Sequence, residues 1–345
     1  MDLVTVDIYE GSDMKRVGIV GCGGIARVHA WALQQMEDVC IVGFADIRRD
    51  RAEAFALEYT DGKAGVYESL SDMLIGEKPD VVHICTPHYL HVPMIKEAVS
   101  RGIAAFCEKP PVVSYEQLEE LRTICENGTV GFCFQNRYNR NVLRAQELIS
   151  SGVYGAVTAA RGFVCWKRDE RYYLDSGWRG TWATECGGAL INQSIHTLDL
   201  LIRLAGVPDF AEATMRNHHL KNVIEVEDTV EAYMQAGNVP VLFYATTAYG
   251  VNASVLIEIQ LEKAALRLEN DTLTVITDGH AETEDMEKGV SLGKSYWGSG
   301  HQACIRDFYD ALEMGRPFLN DFSGIEDTAR TMLKLYDSGK KYIDQ

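Results

Sequence analysis

The chain has 345 residues, 46% of them hydrophobic, and a formal net charge of −17 at pH 7. This length is suited to two domains with separate cores. The negative charge argues against nucleic acid and anionic membranes as partners, because their phosphate groups repel the protein as a whole.

The first third of the chain alternates short apolar runs with runs of helical spacing. Strands are predicted over 16–20, 40–46, 80–86 and 104–109, and helices over 25–33, 49–59 and 91–101. Apolar strands separated by helices are typical of a parallel sheet covered on both faces. We therefore predict a doubly wound parallel sheet over residues 14–136, after an N-terminal extension over residues 1–13.

The alternation of predicted strands and helices ends at about Asn136. Helices are predicted over 141–150, from about residue 188, and over 301–314 and 325–340, and strands over 156–164, 230–235, 241–249, 254–262 and 264–270. Consecutive strands joined only by turns form an antiparallel or mixed sheet. We predict an α+β domain over residues 137–345 with one large, mostly antiparallel open sheet, which makes the whole chain α/β with a second domain.

A glycine-rich turn separates the first strand from the first helix, in the segment KRVGIVGCGGIARVHAWAL. Gly21, Gly23 and Ala26 occupy the small-residue positions of G-x-G-x-x-A, Gly24 lies within the motif, and Ile25 begins the predicted helix. Such a turn is either a tight connection or a dinucleotide site, where the amides at the helix N-terminus bind phosphate. Its place between a strand and a helix favours dinucleotide binding and a Rossmann fold.

Asp46 ends the second strand, 25 residues after Gly21, since 46 minus 21 is 25. An acidic residue near this spacing accepts hydrogen bonds from the ribose hydroxyls and repels a 2′-phosphate. Asp46 therefore favours NAD as the cofactor. Arg48 follows at once and is suited to a 2′-phosphate, so NADP is retained as the less favoured alternative.

Two further segments narrow the interpretation to a family. They are CTPHYLH followed by CEKPP, over residues 85–91 and 107–111, and GGALINQSIHTLDLL, over residues 187–201. Together with the glycine turn, they resemble the Gfo/Idh/MocA family of oxidoreductases, which includes inositol and sugar dehydrogenases. The resemblance runs from about Met14 to the last predicted helix.

The resemblance implies roles for residues of the first domain. Lys109 matches the lysine near the nicotinamide that hydrogen-bonds the reacting hydroxyl, and the bond between Lys109 and Pro110 matches one that is often cis. The positions that line the cofactor in the family are matched here by Thr86, Pro87, His91 and Glu108.

In the second domain, His196 matches the family's catalytic acid or base, and Asn192 stands where aspartate is common. An amide neither carries a negative charge nor takes a proton, so Asn192 is expected to be a neutral hydrogen-bonding partner. Oxidation of a secondary alcohol requires a base, and histidine titrates nearest neutral pH. On one helix, residues i and i+4 face the same way, so Asn192 and His196 are expected side by side.

Other interpretations of these residues stay open. His196 is alternatively a hydrogen-bonded core histidine, and Asp199 either orients His196 or has the structural role that we favour. Trp178 and Arg179 lie in an aromatic segment over residues 165–182. They either bind the substrate through ring faces and a guanidinium fork, or pack into the domain interface.

The sequence as a whole predicts an NAD-dependent dehydrogenase that oxidises a secondary hydroxyl of a sugar, sugar derivative or cyclic polyol. The alternatives are a redox glycosidase or epimerase with retained NAD, and a non-catalytic NAD-binding sugar sensor. Nine cysteines without a C-x-x-C motif, and no leader or long apolar run, indicate reduced thiols and a cytoplasmic protein that spans no membrane. The resemblance implies a homodimer or homotetramer, and we predict no metal site.

Overall fold

The computed structural model describes residues 14–286, 299–340 and 343; the predicted N-terminal extension lies outside them. Six parallel strands form the first sheet, and its spatial order is β3-β2-β1-β4-β5-β6 once the strands are numbered along the chain. They are β1 (Lys15–Val20), β2 (Val39–Ala45), β3 (Gly65–Tyr67), β4 (Val81–Ile84), β5 (Ala104–Cys107) and β6 (Val130–Phe132). The strand order reverses beside β1, which opens a crevice between the carboxyl ends of β1 and β4.

Five helices connect these strands. They are α1 (Gly24–Gln34), α2 (Arg49–Thr60), α3 (Leu70–Glu77), α4 (His91–Ser100) and α5 (Tyr115–Cys125). The predicted doubly wound parallel sheet is confirmed. Strands β3 and β6 and helices α3 and α5 were not predicted, because a three-residue strand is too short to give a periodic signal and the two helices lie beside such strands.

Eight strands form the second sheet, in the spatial order β14-β13-β12-β11-β7-β10-β9-β8. They are β7 (Val157–Cys165), β8 (Phe210–Arg216), β9 (Thr229–Ala236), β10 (Val239–Thr246), β11 (Leu256–Leu261), β12 (Ala265–Glu269), β13 (Thr272–Thr277) and β14 (His280–Asp285). Only β7 and β10 pair in parallel, and the other neighbours are antiparallel. The prediction of one large, mostly antiparallel sheet is therefore confirmed.

The helices of the second half are α6 (Arg140–Ser151), α7 (Glu170–Leu174), α8 (Ile195–Ala205), α9 (His301–Met314) and α10 (Phe322–Gly339). A π-helical turn over Ala189–Ser194 leads directly into α8. Both α8 and α10 present buried apolar side chains to one face of the second sheet. The π-helical turn is thereby fixed at the boundary between this face and the first sheet.

Helix α9 returns to the first sheet, although the sequence analysis assigns it to the second domain. The ring of Phe308 lies 5.0 Å from that of Phe106 on β5, and the Tyr309 hydroxyl lies 3.0 Å from His83 Nε2 on β4. Buried aromatic contacts of this kind join the last part of the chain to the first core. The domain boundary after residue 136 stays a prediction.

All nine cysteines are free thiols, and the buried ones are Cys22, Cys85, Cys107, Cys133 and Cys304. Burial raises the pKa of the Cys85 and Cys107 thiols well above the ordinary value. Both thiols are therefore uncharged members of the core. Among the described helices, none combines the length and the apolar character needed to cross a lipid bilayer.

Candidate active site

The glycine turn lies at the crevice of the first sheet. Gly21 has φ +87°, and a Cβ placed on it would lie 2.6 Å from the carbonyl oxygen of Cys85, so only glycine fits there. By contrast, a Cβ on Gly23 or Gly24 would meet open space. The backbone at the start of α1 is therefore open to a bound molecule on one side and packed closely against the end of β4 on the other.

Asp46 connects the glycine turn to the start of α2. Its Oδ2 accepts a hydrogen bond from the Cys22 amide at 2.8 Å, and its Oδ1 accepts one from the Arg48 amide at 2.8 Å. Each carboxylate oxygen retains further acceptor capacity. The Arg48 side chain pairs with Asp50 at 2.9 Å, in an exposed ion pair. The Asp46 carboxylate is thus fixed beside the glycine turn, whereas the Arg48 guanidinium pairs with Asp50 at the surface.

These features fit the pyrophosphate and ribose of a dinucleotide. The first turn of α1 has no side-chain cap at Gly23 and no acidic residue, so its amides and positive end face outwards. Ala26 is fully buried and allows the helix to approach the sheet. Gly21, Gly23, Gly24, Ile25 and Asp46 would hold NAD here, and their individual contacts stay predictions.

The other predicted cofactor residues follow β4 and β5. The Thr86 hydroxyl lies 3.4 Å from Met94 Sδ, and Pro87 precedes a short 3-10 turn. The two ring nitrogens of His91 lie 2.7 Å from the Pro110 carbonyl and 2.9 Å from the Thr86 carbonyl. His91 therefore joins the two loops at the carboxyl ends of the strands, and its contact with a cofactor stays a prediction.

Glu108 faces the interior of the first domain. Its Oε1 lies 3.0 Å from His29 Nε2, and its Oε2 accepts the Lys109 amide at 3.1 Å. Burial alone would raise the pKa of Glu108, but the hydrogen bond and charge of His29 outweigh burial and lower that pKa below its usual range. The same interactions, with one from Cys133, raise the pKa of His29 to about 9 against the effect of burial.

Three potential metal donors meet at this point, since atoms of His29, Glu108 and Cys133 lie within 4.8 Å of one another. All three residues are buried. His29 already contacts both Glu108 and His83, the latter at 2.8 Å between Nδ1 atoms. The prediction that the protein holds no metal stays a prediction.

Lys109 projects from the carboxyl end of β5 into the boundary with the second domain. The peptide bond between Lys109 and Pro110 is cis, as the resemblance implies. Lys109 Nζ donates to the Asn192 carbonyl oxygen at 2.6 Å and to Asn192 Oδ1 at 3.3 Å. Burial lowers the pKa of this ammonium, Arg179 adds to that effect, and Glu108 opposes it.

Asn192 lies in the π-helical turn, not in α8. Glu227 fixes the start of this turn, because its carboxylate accepts the amides of Gly188 and Leu190 at 3.0 Å each. The expectation that Asn192 and His196 share one α-helix is wrong, because only His196 belongs to α8. The two side chains have different neighbours: Asn192 contacts Lys109, and His196 contacts Gln135.

His196 lies at the start of α8 with its imidazole in the neutral form. Burial lowers its pKa well below the ordinary value, and the Lys109 charge lowers it further. Its Nε2 lies 3.3 Å from Gln135 Nε2, and its ring meets that of Phe134 edge-on, with the ring centroids 5.7 Å apart. Within the described part of the chain, His196 Nδ1 is a buried nitrogen without a hydrogen-bond partner.

Asp199 does not orient His196. Its Oδ1 accepts from Arg137 Nη2 at 2.5 Å and from the Thr328 hydroxyl at 2.7 Å, and its Oδ2 accepts from Arg137 Nε at 2.8 Å. Both members of this ion pair are almost fully buried. The favoured structural role of Asp199 is therefore confirmed: with Arg137, it joins α8 to α10 and to the segment before α6.

Trp178 and Arg179 lie opposite the end of β4. The Trp178 ring is 4.9 Å from that of His88, and His88 Nδ1 lies 2.7 Å from the Glu185 carbonyl. The Arg179 guanidinium stacks over Tyr172 at 4.5 Å and over Trp178 at 4.8 Å. Trp178 thus packs at the domain boundary, as one of the two interpretations expects, and substrate contact by either residue stays a prediction.

The sequence analysis missed two neighbours of the site. Glu185 contacts the side chain of Asn192, and Gln135 contacts His196. No local pattern marks either residue, because Gln135 is 61 positions from His196 and Glu185 is one of several acidic residues in its segment. Their importance follows only from tertiary contacts.

Comparisons with known proteins agree with this geometry. A family model described as "Oxidoreductase family, NAD-binding Rossmann fold" matches residues 15–133, and one described as "GFO/IDH/MocA C-terminal domain" matches residues 142–267. The fold and the site therefore define a protein with an NAD-binding Rossmann domain followed by a second, sheet-based domain. The chain belongs to the Gfo/Idh/MocA family of oxidoreductases.

The chain is only moderately similar in sequence to individual members of the family. The chain is 33% identical to D-glucoside 3-dehydrogenase of Escherichia coli (strain K12), over 56% of this chain and 54% of that protein. It is 26% identical to glucose-6-phosphate 3-dehydrogenase of Bacillus subtilis (strain 168), over 65% of each chain. The matched regions thus span between about half and two thirds of these relatives.

A solved structure extends the similarity over nearly the whole chain. The WlbA dehydrogenase from Bordetella pertussis, in complex with NADH and UDP-GlcNAcA, superposes with a TM-score of 0.82 at 25% sequence identity. The match covers 96% of this chain and 98% of that one. The two-sheet architecture is therefore shared from end to end.

Proposed function

We propose that this protein is an NAD-dependent dehydrogenase that oxidises a secondary hydroxyl of a sugar, a sugar derivative or a cyclic polyol. The observation that carries the proposal is the contact of Lys109 with the helical segment that contains Asn192 and His196. This contact lies at the carboxyl edge of the parallel strands, where the glycine turn also lies. Ligands of open α/β sheets bind at this edge. Catalysis there needs a hydride acceptor, a base and a group that orients the hydroxyl.

His196 is suited to the role of general base. Because its pKa lies well below the ordinary value, the imidazole is unprotonated at neutral pH and accepts the proton of the hydroxyl. NAD, when bound, would supply the acceptor for the hydride, so that a carbinol group that gives up both its proton and its hydride becomes a carbonyl.

Lys109 is suited to orienting the hydroxyl and stabilising the developing alkoxide. Its Nζ is fixed by two hydrogen bonds to Asn192, so the ammonium requires little reorganisation when the substrate binds. An ammonium has three donors, and the third is directed to the substrate in this proposal. Asn192 would then act as a neutral partner that positions Lys109, as expected for an amide.

The substrate class is inferred from the relatives. Two of them are named as 3-dehydrogenases of a D-glucoside and of glucose 6-phosphate, and a third was solved with a nucleotide sugar acid. Trp178, Tyr172 and Arg179 offer ring faces and a guanidinium at the domain boundary, which suits the faces and hydroxyls of a sugar ring. We propose substrate contacts for Trp178 and Arg179 on this ground.

The test is a substrate screen with the purified protein. NAD and NADP are offered with inositols, aldoses, uronates and glycosides, and reduced cofactor is followed by absorbance. We expect NADH to accumulate with at least one sugar or polyol. Product formation without net NADH, with NAD retained on the protein, would instead identify a redox glycosidase or epimerase. Cofactor and sugar binding without any product would identify a sensor.

The cofactor preference is tested at Asp46. Replacing Asp46 with alanine removes the ribose acceptor and the charge that repels a 2′-phosphate, so the Kd for NAD should rise about tenfold or more while that for NADP changes less. Fluorescence titration of both cofactors measures this difference. Glu53→Ala, which removes an exposed carboxylate of α2, is the control. Equal losses for both cofactors would mean that Asp46 only supports the turn.

We further propose a cytoplasmic homodimer or homotetramer that uses the open face of the second sheet. The free thiols suit a reducing compartment. On adjacent strands of this face, the exposed side chains of Phe210, Tyr233 and Leu242 lie together, and the rings of Phe210 and Tyr233 are 6.2 Å apart. Such a patch favours burial against a second copy. Light scattering after gel filtration measures the mass, and a monomer would contradict the proposal.

A further inference from the structure

A buried carboxyl group lies behind the Asn192 amide. Glu185 is 1% exposed, and its Oε1 accepts a hydrogen bond from Asn192 Nδ2 at 2.5 Å. Its Oε2 accepts from the Gly180 amide at 2.5 Å. Asn192 Oδ1 in turn accepts from Lys109 Nζ at 3.3 Å. The three side chains therefore form a continuous row of hydrogen bonds from a buried carboxyl to the ammonium of the site.

The ionised state of Glu185 fixes the direction of every bond in this row. A carboxylate only accepts, so it requires the NH₂ side of the Asn192 amide and turns the amide oxygen towards Lys109, which only donates. A protonated Glu185 would carry a donor at one of its oxygens. One of its two N–H partners would then lose its acceptor, or the amide would turn its NH₂ group towards the Lys109 ammonium.

We propose that ionised Glu185 is a positioning residue, which orients the Asn192 amide and through it holds Lys109 where the reacting hydroxyl binds. This inference rests on the proposed dehydrogenase function and extends it. Protonation of Glu185 removes the bond from Lys109 to the Asn192 side chain and leaves only the bond to the Asn192 carbonyl oxygen, so the ammonium is held less firmly and the reaction slows. The proton of the hydroxyl still goes to His196, and Glu185 itself exchanges protons only with solvent as the pH changes.

Glu185 changes its charge in the neutral range. Burial raises its pKa to about 7 and Glu227 contributes, against the opposing effects of the Gly180 amide, Asn192 and Arg179. Among the described residues, the charged groups that act on it are Lys109 and Arg179, together with Glu227, whose own pKa is raised by burial. Other titratable groups around it in this part of the chain are His88, Tyr173, Cys186 and Tyr336, whose pKa values are shifted by burial towards the neutral form. Burial and the Lys109 charge lower the pKa of His196, whereas burial raises that of Glu185, so a variant at Glu185 tests which of the two groups causes the loss of activity.

The experiment compares the pH dependence of kcat in the wild type and in Glu185→Gln. The wild type should lose activity as the pH falls through about 7, because Glu185 becomes protonated. In Glu185→Gln that loss should be absent, and kcat at pH 8 should be lower by about tenfold or more, because an amide cannot accept both bonds. Glu185→Asp keeps the charge and should retain the pH dependence.

Glu225→Gln is a suitable control. Glu225 is an exposed glutamate whose Oε2 accepts the Trp182 amide at 3.0 Å, so its hydrogen bond goes to the same loop and not to Asn192. Its variant should keep the kcat of the wild type at pH 8 and the same loss of activity at lower pH.

Thermal unfolding gives a readout that does not require turnover. Because folding raises the pKa of Glu185, its contribution to stability is complete below the ordinary value of 4.5 and is lost as the pH rises through about 7. The Tm of Glu185→Gln relative to the wild type should therefore increase between pH 5 and pH 8. Turnover with an unchanged pH profile in Glu185→Gln would overturn this inference alone. A protein that shows this change in Tm but turns over no sugar would overturn the proposed function, and this inference with it.

Discussion

Replacing His196 with alanine should lower kcat by about a hundredfold or more and leave the Kd for NAD close to unchanged. The variant removes the proposed base but no group of the glycine turn, and general-base assistance is typically of this size. His196 is unprotonated at neutral pH because burial and Lys109 lower its pKa, so the wild type requires no deprotonation of this residue before it reacts. Steady-state kinetics and NAD titration measure the two effects separately.

A suitable control for this variant is His280→Ala, since His280 is an exposed residue of β14, with 71% of its side chain accessible. Its kcat should equal that of the wild type. If His196→Ala retained more than about a tenth of the wild-type kcat, the proton would leave by another route. His196 would then be a core histidine, as the alternative interpretation holds.

Replacing Lys109 with methionine should lower kcat by about 10²–10³-fold, the loss typical when one donor to a developing oxyanion is removed. Methionine keeps much of the volume of the side chain but removes the ammonium that the Asn192 oxygens hold in place. Arginine should not restore activity, because its planar fork differs from a point charge on a flexible stem.

The Lys109 variant also has an expected effect on pH dependence. The Lys109 charge is one cause of the low pKa of His196, so its removal should raise that pKa and move the acid limb of His196 to higher pH. Lys96→Met, in an exposed ion pair of α4 with Glu120, is the control and should change neither quantity. A normal kcat in the Lys109→Met variant would show that Lys109 does not stabilise the reacting oxygen.

The glycine turn was predictable because its chemistry is local. Gly21 is required by a backbone conformation within the turn itself, and Asp46 ends the strand next to it in the sheet. Both signals depend on residues that the chain brings together over a short distance. The neighbours of the site in the second domain had no such signal. The π-helical turn of Asn192 depends on Glu227, which lies 35 positions further on, since 227 minus 192 is 35.

By itself, the sequence determined the type of fold and the place of the cofactor turn, and its resemblance to the family gave the candidate residues Lys109, Asn192 and His196. Periodicity, small residues and short motifs report on local conformation, and local conformation limits the architectures that are possible. Only the tertiary structure decided which side chains meet. In the folded chain, the Asn192 side chain forms hydrogen bonds with Lys109 and Glu185, and Asp199 pairs with Arg137. The hydrogen-bond partner and the burial that set each pKa come from distant parts of the chain, and no local pattern encodes them.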